Sequence, residues 1–299
     1  MFKFEREQRT FEISGVKIGG QPGEVPTVLV GSIFYRGHKI VEDEKRGTFD
    51  RARAEELIVR QEDFSDKTGN PCMLDVVGMT PQALNGYLEF VSSVTDAPML
   101  MDGGTASNNA ECLENAKEVG LLGRIVYNSL SLQCKAAEID KIKEVGLESA
   151  VLLTLNMKDF TSRGKMTAAR ELVSLAEGAG IKKPLIDTCV LDIPTLGQAC
   201  RAIFDLKTEF GLPAGCGAHN AISMWRGLKK KMGTQAIKPS LASACVMTAA
   251  VGADFVLYGP IEEAEFVFPV IAMADAAYGK VVTERGLKLD RGHPIYRIA

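Results

Sequence analysis

The sequence predicts an α/β fold in which eight strands and their helices close into a single (β/α)8 barrel. Eight short apolar runs recur along the 299 residues, and segments with helical spacing lie between them. The runs show no alternation of apolar and polar residues, as expected of parallel strands covered on both faces. Strand, loop and helix repeated eight times indicates this barrel, and a doubly wound sheet is the structural alternative.

Each apolar run is expected to form one barrel strand. The runs begin near Thr27, Pro71, Ala97, Arg124, Ser149, Lys183, Pro213 and Ala253. Helical spacing is clear in residues 53–64 and 168–179. Two helix starts are also predicted, one where Thr80 precedes Pro81 and one at Ser107.

The two ends of the chain lie outside this repeat. Residues 1–26 contain FEISGVKIGGQ, which predicts a short hairpin that closes the barrel floor or its flank. From about Lys280 the sequence becomes polar and is expected to lie across the surface or against a partner. No low-complexity linker interrupts the chain, so we expect one domain over residues 1–299.

Composition excludes several classes of function. A net charge of −3 gives no reason to expect nucleic acid or an anionic membrane as a partner. The seven cysteines include no C-x-x-C pair, and the three histidines lack metal-ligand spacing, so reduced thiols and no protein-bound metal are expected. The N-terminus is charged, and no apolar run reaches the roughly 20 residues of a membrane span. A soluble cytoplasmic chain without membrane insertion is therefore expected.

Four of the apolar runs stop on an Asp or an Asn, namely Asp102, Asn128, Asp187 and Asn220. In a barrel the carboxyl ends of the strands converge on one pocket, so these side chains are expected to be neighbours. A pterin presents its N3–H and 2-amino group as a planar fork of donors, and a carboxylate accepts such a fork with both oxygens. Two carboxylates and two amides therefore predict a pterin site.

Each of these residues also has a simpler interpretation as a turn former after a strand. Four together favour the pocket, since an unpaired buried polar group costs about 1–3 kcal/mol unless a ligand or a neighbour satisfies it. Asp75 ends the second predicted strand and is expected at the pocket floor.

The same segments resemble a known group of proteins. The stretches LMDGGTAS, VYNSLSL, LIDTCVLDIP and GCGAHN resemble the pterin-binding barrels of corrinoid-dependent methyltransferases. Longer motifs are similar to the MtrH family of tetrahydromethanopterin S-methyltransferase subunits and to its soluble bacterial relatives, one of which acts in glycine betaine demethylation. These motifs are VKIGGQPGEVPTVLVGSIFYRGHKIVEDEKRGTFD, DKTGNP, YLEFVSSVTDAP and DFVLYGPIEEAEFVFPVIAMAD, so the resemblance covers nearly the whole chain.

The resemblance implies roles for individual residues. Asp102 and Asp187 stand where the family holds the amidine edge of the pterin, and Asn128 stands at the asparagine that binds the ring. Asn220 occupies the position of the asparagine that contacts N5 and is the candidate catalytic residue. His219 replaces a serine of the wider group, and either a site role or a structural role is open for it.

The resemblance also implies a corrinoid, here carried by a separate protein because the chain has no D-x-H-x-x-G motif. The loops with Arg36, His38 and the residues after Asn156 are expected to form its docking rim, and a structural role for His38 is equally open. The basic cluster Arg226, Lys229, Lys230 and Lys231 is a candidate docking patch or polyglutamate site, with a solvated helix face as the alternative.

The implied activity is methyl transfer between a methyl-Co(III) corrinoid protein and N5 of tetrahydrofolate, with release of Co(I), by a homodimer. The stretch from Asn156 to Lys165 looks shorter than in the MtrH subunits, which favours tetrahydrofolate over tetrahydromethanopterin. The alternatives are a tetrahydromethanopterin-dependent MtrH subunit of a membrane complex and a dihydropteroate-synthase-like enzyme. The first methyl donor, whether betaine, a methylamine or a methyl ether, would be recognised by another protein.

Overall fold

The structure is a computed structural model that describes residues 3–298. Its strands are β1 (Thr10–Ile13), β2 (Val16–Gly19), β3 (Val28–Ile33), β4 (Val41–Asp43), β5 (Thr48–Phe49), β6 (Cys72–Val77), β7 (Met99–Asp102), β8 (Ile125–Leu130), β9 (Ser149–Leu153), β10 (Lys183–Asp187), β11 (Ala214–Cys216) and β12 (Phe255–Pro260). Its helices are α1 (Arg51–Thr68), α2 (Pro81–Val94), α3 (Ala106–Glu118), α4 (Ala136–Val145), α5 (Ser162–Ala179), α6 (Ile193–Phe210), α7 (His219–Ser223), α8 (Leu228–Met232), α9 (Ile237–Ala250), α10 (Ala264–Glu284) and α11 (Pro294–Arg297). Single 3-10 turns lie at Leu122–Arg124, Thr234–Ala236 and Ile261–Glu263.

Eight parallel strands form a closed barrel in the order β3, β6, β7, β8, β9, β10, β11, β12, and β12 pairs again with β3. All eight predicted runs are barrel strands, which confirms the predicted fold class. The continuous burial of β3, in which every residue is buried, shows why these runs do not alternate. The longer helices surround the barrel and cover its outer face.

The N-terminal hairpin closes the floor of the barrel, which is one of the two predicted positions. Strands β1 and β2 pair antiparallel, and their side chains Ile13 and Ile18 are fully buried. They contact inward-facing residues from the barrel strands, namely Val28, Val30, Met73, Leu100, Val126, Val151, Leu185, Phe255 and Leu257. The amino-terminal end of the barrel is therefore filled by apolar side chains, and only the carboxyl end remains open to a ligand.

Buried charged side chains near the floor form hydrogen bonds and an ion pair with other groups of the protein. Asp254 accepts hydrogen bonds from Lys207 Nζ and from Ala214 N, and Lys207 Nζ also donates to the carbonyl of Gly20 beside the hairpin. Asp275 accepts from Thr27 N at 2.8 Å and from the Thr27 hydroxyl at 2.9 Å. These bonds hold the hairpin and the start of β3 onto the helices outside the barrel.

One of the two predicted helix starts is confirmed, and the other lies two residues earlier than predicted. Thr80 is the N-cap of α2 and accepts from Ala83 N, with Pro81 in the first turn as predicted. Helix α3 is capped by Thr105 and not by Ser107, because Thr105 is the residue whose hydroxyl reaches Asn108 N, at 3.3 Å. The competing caps Thr105 and Ser107 lie two residues apart in TAS, and their hydroxyls contact each other.

The C-terminal segment lies across the barrel surface. Helix α10 continues to Glu284, four residues beyond the predicted boundary at Lys280, and α11 returns to contact α10 and α1. Within residues 3–298, the stretch Ile261–Glu284 is long and apolar enough to cross a membrane by length and composition, with a mean hydropathy of 1.4. The expectation that no apolar run is long enough to span a membrane is therefore wrong for this stretch. Phe268 in this helix is nevertheless fully buried in the core, and core helices meet the same criterion.

Candidate active site

A cavity of about 540 Å³ opens at the carboxyl end of the barrel. The structure places six of the eight predicted site residues around it, namely Asp75, Asp102, Asn128, Asp187, His219 and Asn220. Ser32 and Tyr35 also line this cavity and were not predicted. Their signal in the sequence is weaker than that of the others, because Ser32 lies inside the apolar run VGSIFY and Tyr35 is itself largely apolar.

Asp75 is the most enclosed of the three carboxylates, with 5% of its surface exposed. Ser32 Oγ donates to Asp75 Oδ2 at 2.7 Å, and Asn128 Nδ2 donates to Asp75 Oδ1 at 3.1 Å. Burial, and next the charge of nearby Asp102, raise the pKa of Asp75 well above its usual range. Each oxygen of Asp75 thus accepts one hydrogen bond from the protein, and the bond from Asn128 orients the amide of that residue at the cavity. The peptide bond between Asn128 and Ser129 is cis.

Asp102 and Asp187 have more acceptor capacity left. Within residues 3–298, the Asp102 carboxylate accepts one hydrogen bond, from Gly104 N at 3.0 Å, and that of Asp187 accepts one, from Cys189 N at 2.6 Å. A carboxylate offers about four lone-pair positions, so each side chain can accept further donors from a ligand. Burial raises the pKa of Asp102, and it raises the pKa of Asp187 to about 6.

A strained turn holds Asp187 in place. Cys189 has a left-handed backbone conformation with a φ of 50°, which brings its N–H onto the Asp187 carboxylate. Lys165 is almost fully buried, and its Nζ donates to the Cys189 carbonyl at 2.8 Å. The Cys189 N–H and the positive charge of Lys165 both lower the pKa of Asp187, against the larger effect of burial. Lys165 is a functional candidate that sequence reasoning missed, because its position in the first turn of α5 carries no motif.

His219 and Asn220 begin the short helix α7 directly after β11. His219 Nδ1 lies 3.1 Å from the carbonyl of Leu257 and therefore carries the proton that it donates. Burial lowers the pKa of His219, which favours the neutral form of the ring. Gly259 makes room for this ring, since a Cβ there would lie 2.8 Å from the imidazole. Asn220 has its amide close to Gly217, where a Cβ would come within 3.1 Å of Nδ2.

His38 does not line the cavity. It is 2% exposed, its Nδ1 accepts from Phe34 N at 3.0 Å, and its Nε2 lies 3.0 Å from Glu262 Oε1. Its ring stacks on Tyr35, with ring centroids 4.3 Å apart. Phe34 has a φ of 61°, which turns the loop inward and buries His38 behind Tyr35. His38 is therefore not placed to contact a docked corrinoid directly. It supports Tyr35, which lines the cavity.

Asn156 also lies away from the cavity. Its Nδ2 donates to the Gly164 carbonyl at 3.2 Å, and its Oδ1 accepts from Lys158 N at 3.0 Å. Asparagine in a loop commonly binds nearby backbone in this way. Asn156 shapes the loop before α5 and does not line the cavity.

The described residues offer little for a metal. Among residues 3–298, no group of three or more His, Cys, Asp or Glu side chains has the arrangement to hold an ion. The seven cysteines are free thiols, and only Cys134 is partly exposed. The lining of the cavity combines carboxylates, which accept hydrogen bonds, with side-chain amides, which both donate and accept them.

Comparison with known proteins gives the family and the fold. Residues 6–289 match the family described as tetrahydromethanopterin S-methyltransferase MtrH subunit. The chain is 40% identical to this subunit of the tetrahydromethanopterin S-methyltransferase of Methanocaldococcus jannaschii, over 100% of both chains. It is 38% identical to the corresponding subunit of the putative methyltransferase mtx of Methanosarcina barkeri, over 99% of both chains.

Solved structures with a similar fold include dihydropteroate synthases. The enzyme from Yersinia pestis in a sulfonamide drug complex superimposes with a TM-score of 0.65 at 14% identity, over 91% of this chain and 100% of that one. The enzyme from Xanthomonas albilineans gives a TM-score of 0.63 at 16% identity, over 91% and 98%. At this level of sequence identity, the similarity shows that the proteins share the barrel fold. It is not evidence for a shared activity.

The names of the relatives correct one expectation. The sequence favoured a free-standing cytoplasmic chain over a subunit of a membrane complex. The relatives that align over their full length are each named as one subunit of a methyltransferase, and so as one component of a larger assembly. The expectation of a free-standing cytoplasmic protein is therefore wrong.

Proposed function

The chain belongs to the MtrH family of tetrahydromethanopterin S-methyltransferase subunits, and we propose that it transfers a methyl group between a corrinoid and N5 of a reduced pterin. A pterin-type methyltransferase is the activity that family membership and the barrel support together. The observation that carries the finer proposal is the convergence of Asp102, Asn128, Asp187 and Asn220 on one cavity.

The first task of the site is to hold the pterin ring. Asp102 and Asp187 each have open acceptor positions on the cavity, which suit the N3–H and 2-amino donors of the pterin. Asn128 is fixed by its bond to Asp75, so its carbonyl oxygen is directed for a further donor. This arrangement orients the ring before the methyl group arrives, and orientation supplies much of the rate enhancement in such a displacement.

Asn220 is the proposed catalytic residue at N5. When the methyl group moves from the corrinoid to the pterin, the N5 lone pair attacks the methyl carbon. The bond between this carbon and cobalt breaks, both of its electrons stay on cobalt as Co(I), and N5 releases its proton. An amide both donates and accepts, so Asn220 can bind N5 before and after this change. His219 is bound to the carbonyl of Leu257, and it serves as a wall of the cavity. The corrinoid, carried on a separate protein, supplies or accepts the methyl group.

The names of the relatives favour tetrahydromethanopterin as the pterin. Tetrahydrofolate is the second candidate, and one observation supports it. The alignments extend over 318 and 309 positions while covering all 299 residues of this chain, so those relatives contain residues that this chain lacks. The stretch from Asn156 to Lys165 was expected to be shorter than in the MtrH subunits, and that expectation favoured tetrahydrofolate. A chain that is shorter than these relatives agrees with it.

Pairing of two copies is proposed through the outer sides of α9 and α10. Residues 239–250 contain no charged side chain, and between Glu265 and Lys280 the charged residue is the buried Asp275. The exposed apolar side chains on these helices include Met247, Phe266 and Met273. Exposed apolar side chains on two neighbouring helices favour a protein interface, and a two-fold pair would cover them on both copies.

The test is binding followed by turnover. The purified protein would be titrated calorimetrically with tetrahydromethanopterin and with tetrahydrofolate, and methyl transfer from methylcobalamin would be followed by absorbance. We expect binding and methyl transfer with tetrahydromethanopterin, whereas selective use of tetrahydrofolate would establish the second candidate. Asp102→Asn should weaken binding, and Asp205→Asn on the outer surface of α6 serves as the control. Binding of neither pterin would contradict the proposal.

A further inference from the structure

A second cavity of about 400 Å³ adjoins the first one. Both cavities are lined by His219, Ser223 and Pro260, so a ligand in the first can extend into the second past these residues. The pterin ring needs only the first cavity, whose polar residues match its donors and acceptors. The second cavity is therefore available for a part of the substrate that lies beyond the ring.

The walls of the second cavity differ from those of the first. One side is apolar and is formed by Ile222, Trp225, Leu228, Ile237 and Leu241. Trp225 is partly buried there, and an indole presents a flat face for an aromatic ring of a ligand. This side suits an aryl group, which the carboxylate-lined first cavity does not.

The other side of the second cavity carries positive charge. Arg226 and Lys229 both line it, and neither forms an ion pair within residues 3–298. Glu263 also lines it, and one of its oxygens is paired with Lys238. Its other oxygen, Oε2, is buried and accepts no hydrogen bond from the described residues. The walls thus offer two free cations for an anion and one open acceptor for an N–H group.

We infer that the second cavity binds the tail of the pterin substrate. The aryl ring of the tail lies against Trp225, its N–H group donates to Glu263 Oε2, and its anionic end lies at Arg226 and Lys229. This inference rests on the proposed function, in which the pterin ring fills the first cavity. Tetrahydrofolate and tetrahydromethanopterin share this chemistry, since each tail has an arylamine followed by an anionic end.

The inference changes the interpretation of the basic cluster. In the sequence, Arg226, Lys229, Lys230 and Lys231 form one undivided run of positive charge. The structure divides it, because Arg226 and Lys229 line the second cavity and Lys230 and Lys231 do not, although all four residues are exposed. The second pair is a matched control for the first, with the same change of charge in the same segment.

The experiment compares ligands with and without a tail. Calorimetric titrations would use 6-methyltetrahydropterin, tetrahydrofolate and tetrahydromethanopterin as separate arms. We expect Arg226→Gln combined with Lys229→Gln to weaken binding of the tail-bearing pterin by about five- to tenfold, the range for two partly screened charge contacts. Binding of 6-methyltetrahydropterin should not change, and Lys230→Gln combined with Lys231→Gln should leave all three ligands unaffected.

A second readout comes from fluorescence. Trp225 is the only tryptophan of the chain, so intrinsic tryptophan emission reports on the surroundings of this residue, which include the second cavity. A tail-bearing pterin should quench this emission at saturation. The same concentration of 6-methyltetrahydropterin should quench it only to the extent that the ring absorbs light.

The outcomes separate this inference from the proposed function. If 6-methyltetrahydropterin binds as tightly as the tail-bearing pterins, or if the two double variants weaken binding equally, the tail site is overturned while the pterin methyltransferase stands. If no pterin binds at all, the proposed function fails and the tail site fails with it. A loss confined to tail-bearing ligands and to the first double variant supports the inference.

Discussion

The two ends of the barrel both bury carboxylates, but they satisfy them differently. At the floor, Asp254 is bound by Lys207 and by a backbone N–H, and Asp275 accepts three hydrogen bonds from Thr27 and Asn70. At the open end, the carboxylates of Asp102 and Asp187 each accept one hydrogen bond from the described residues. A carboxylate whose acceptors are filled by protein is an anchor of the fold, whereas one with open acceptors facing a cavity is a binding group.

Electrostatics alone would not have separated the two ends. Burial raises the pKa of Asp187 to about 6, and it raises the pKa of Asp275 to about 6 as well. Both residues are therefore costly to ionise in the folded protein. The difference lies in geometry, namely in how many donors of the protein reach each carboxylate and whether a cavity adjoins it.

The largest expected effect concerns stability at the floor. Asp254→Ala leaves the buried ammonium of Lys207 without its counter-charge, and removal of one partner from a buried pair costs about 3–5 kcal/mol. Urea denaturation should show this loss in the free energy of unfolding, with pterin affinity of the folded protein unchanged. The exposed pair of Arg201 and Asp205 provides the control, where Asp205→Ala should cost less than about 1 kcal/mol. Equal losses at the two positions would contradict the assignment of the floor as the anchor.

The next effect concerns turnover at the open end. Asn220→Ala should lower kcat about tenfold or more while changing the pterin Kd little, because its amide acts on N5 and the ring is held by the carboxylates. Single-turnover methyl transfer and calorimetry measure the two quantities separately. A fall in affinity as large as the fall in rate would make Asn220 a binding residue only.

A smaller effect is the dependence of binding on pH. The ionised carboxylate of Asp187 is the form that accepts the pterin donors, so affinity should fall as pH drops through about 6, by at most about tenfold per pH unit. The stability of the free protein follows the opposite sign. Since the folded pKa is above that of the unfolded chain, the contribution of Asp187 is present below about pH 4 and is lost as pH rises through about 6.

Lys165 sharpens this pH test. Its charge lowers the pKa of Asp187, so Lys165→Met should move the midpoint of the binding profile to higher pH. The profile of Asp187→Asn is the control, because any slope that remains there belongs to the pterin. An affinity that stays constant between pH 5 and 8 in the unchanged protein would contradict the role of Asp187.

The barrel could be predicted because its information is local. Each strand is a buried apolar run, and the residue at the end of each run faces the open end, as Asp102 and Asp187 do. Two apolar side chains of the hairpin, Ile13 and Ile18, likewise fit a floor made of strand beginnings. Convergence of the strand ends follows from the closed topology and needs no knowledge of loops.

The loops could not be predicted in the same way. His38 is buried because Phe34 adopts a left-handed conformation, and no residue type near it signals that turn. Asn156 binds the backbone of a residue eight positions later, and its polar side chain looks the same in sequence as a ligand-binding one. The contact of Lys165 with the turn after Asp187 depends on how α5 lies against the barrel. The division of the basic cluster into residues that line the second cavity and residues that do not depends on the position of the segment after α7.

We propose that open acceptors, and not buried charge itself, define the site. The most direct test is a pterin titration of Asp187→Asn beside Asp275→Asn, the same substitution at two aspartates whose pKa values are both raised to about 6. We predict that Asp187→Asn weakens pterin binding by about 1.5–3 kcal/mol and does not lower the free energy of unfolding. Asp275→Asn should keep the affinity and lower the stability, because its amide would face the donors of Thr27 and Asn70. Unchanged binding in Asp187→Asn, or equal losses of affinity in both variants, would contradict the account.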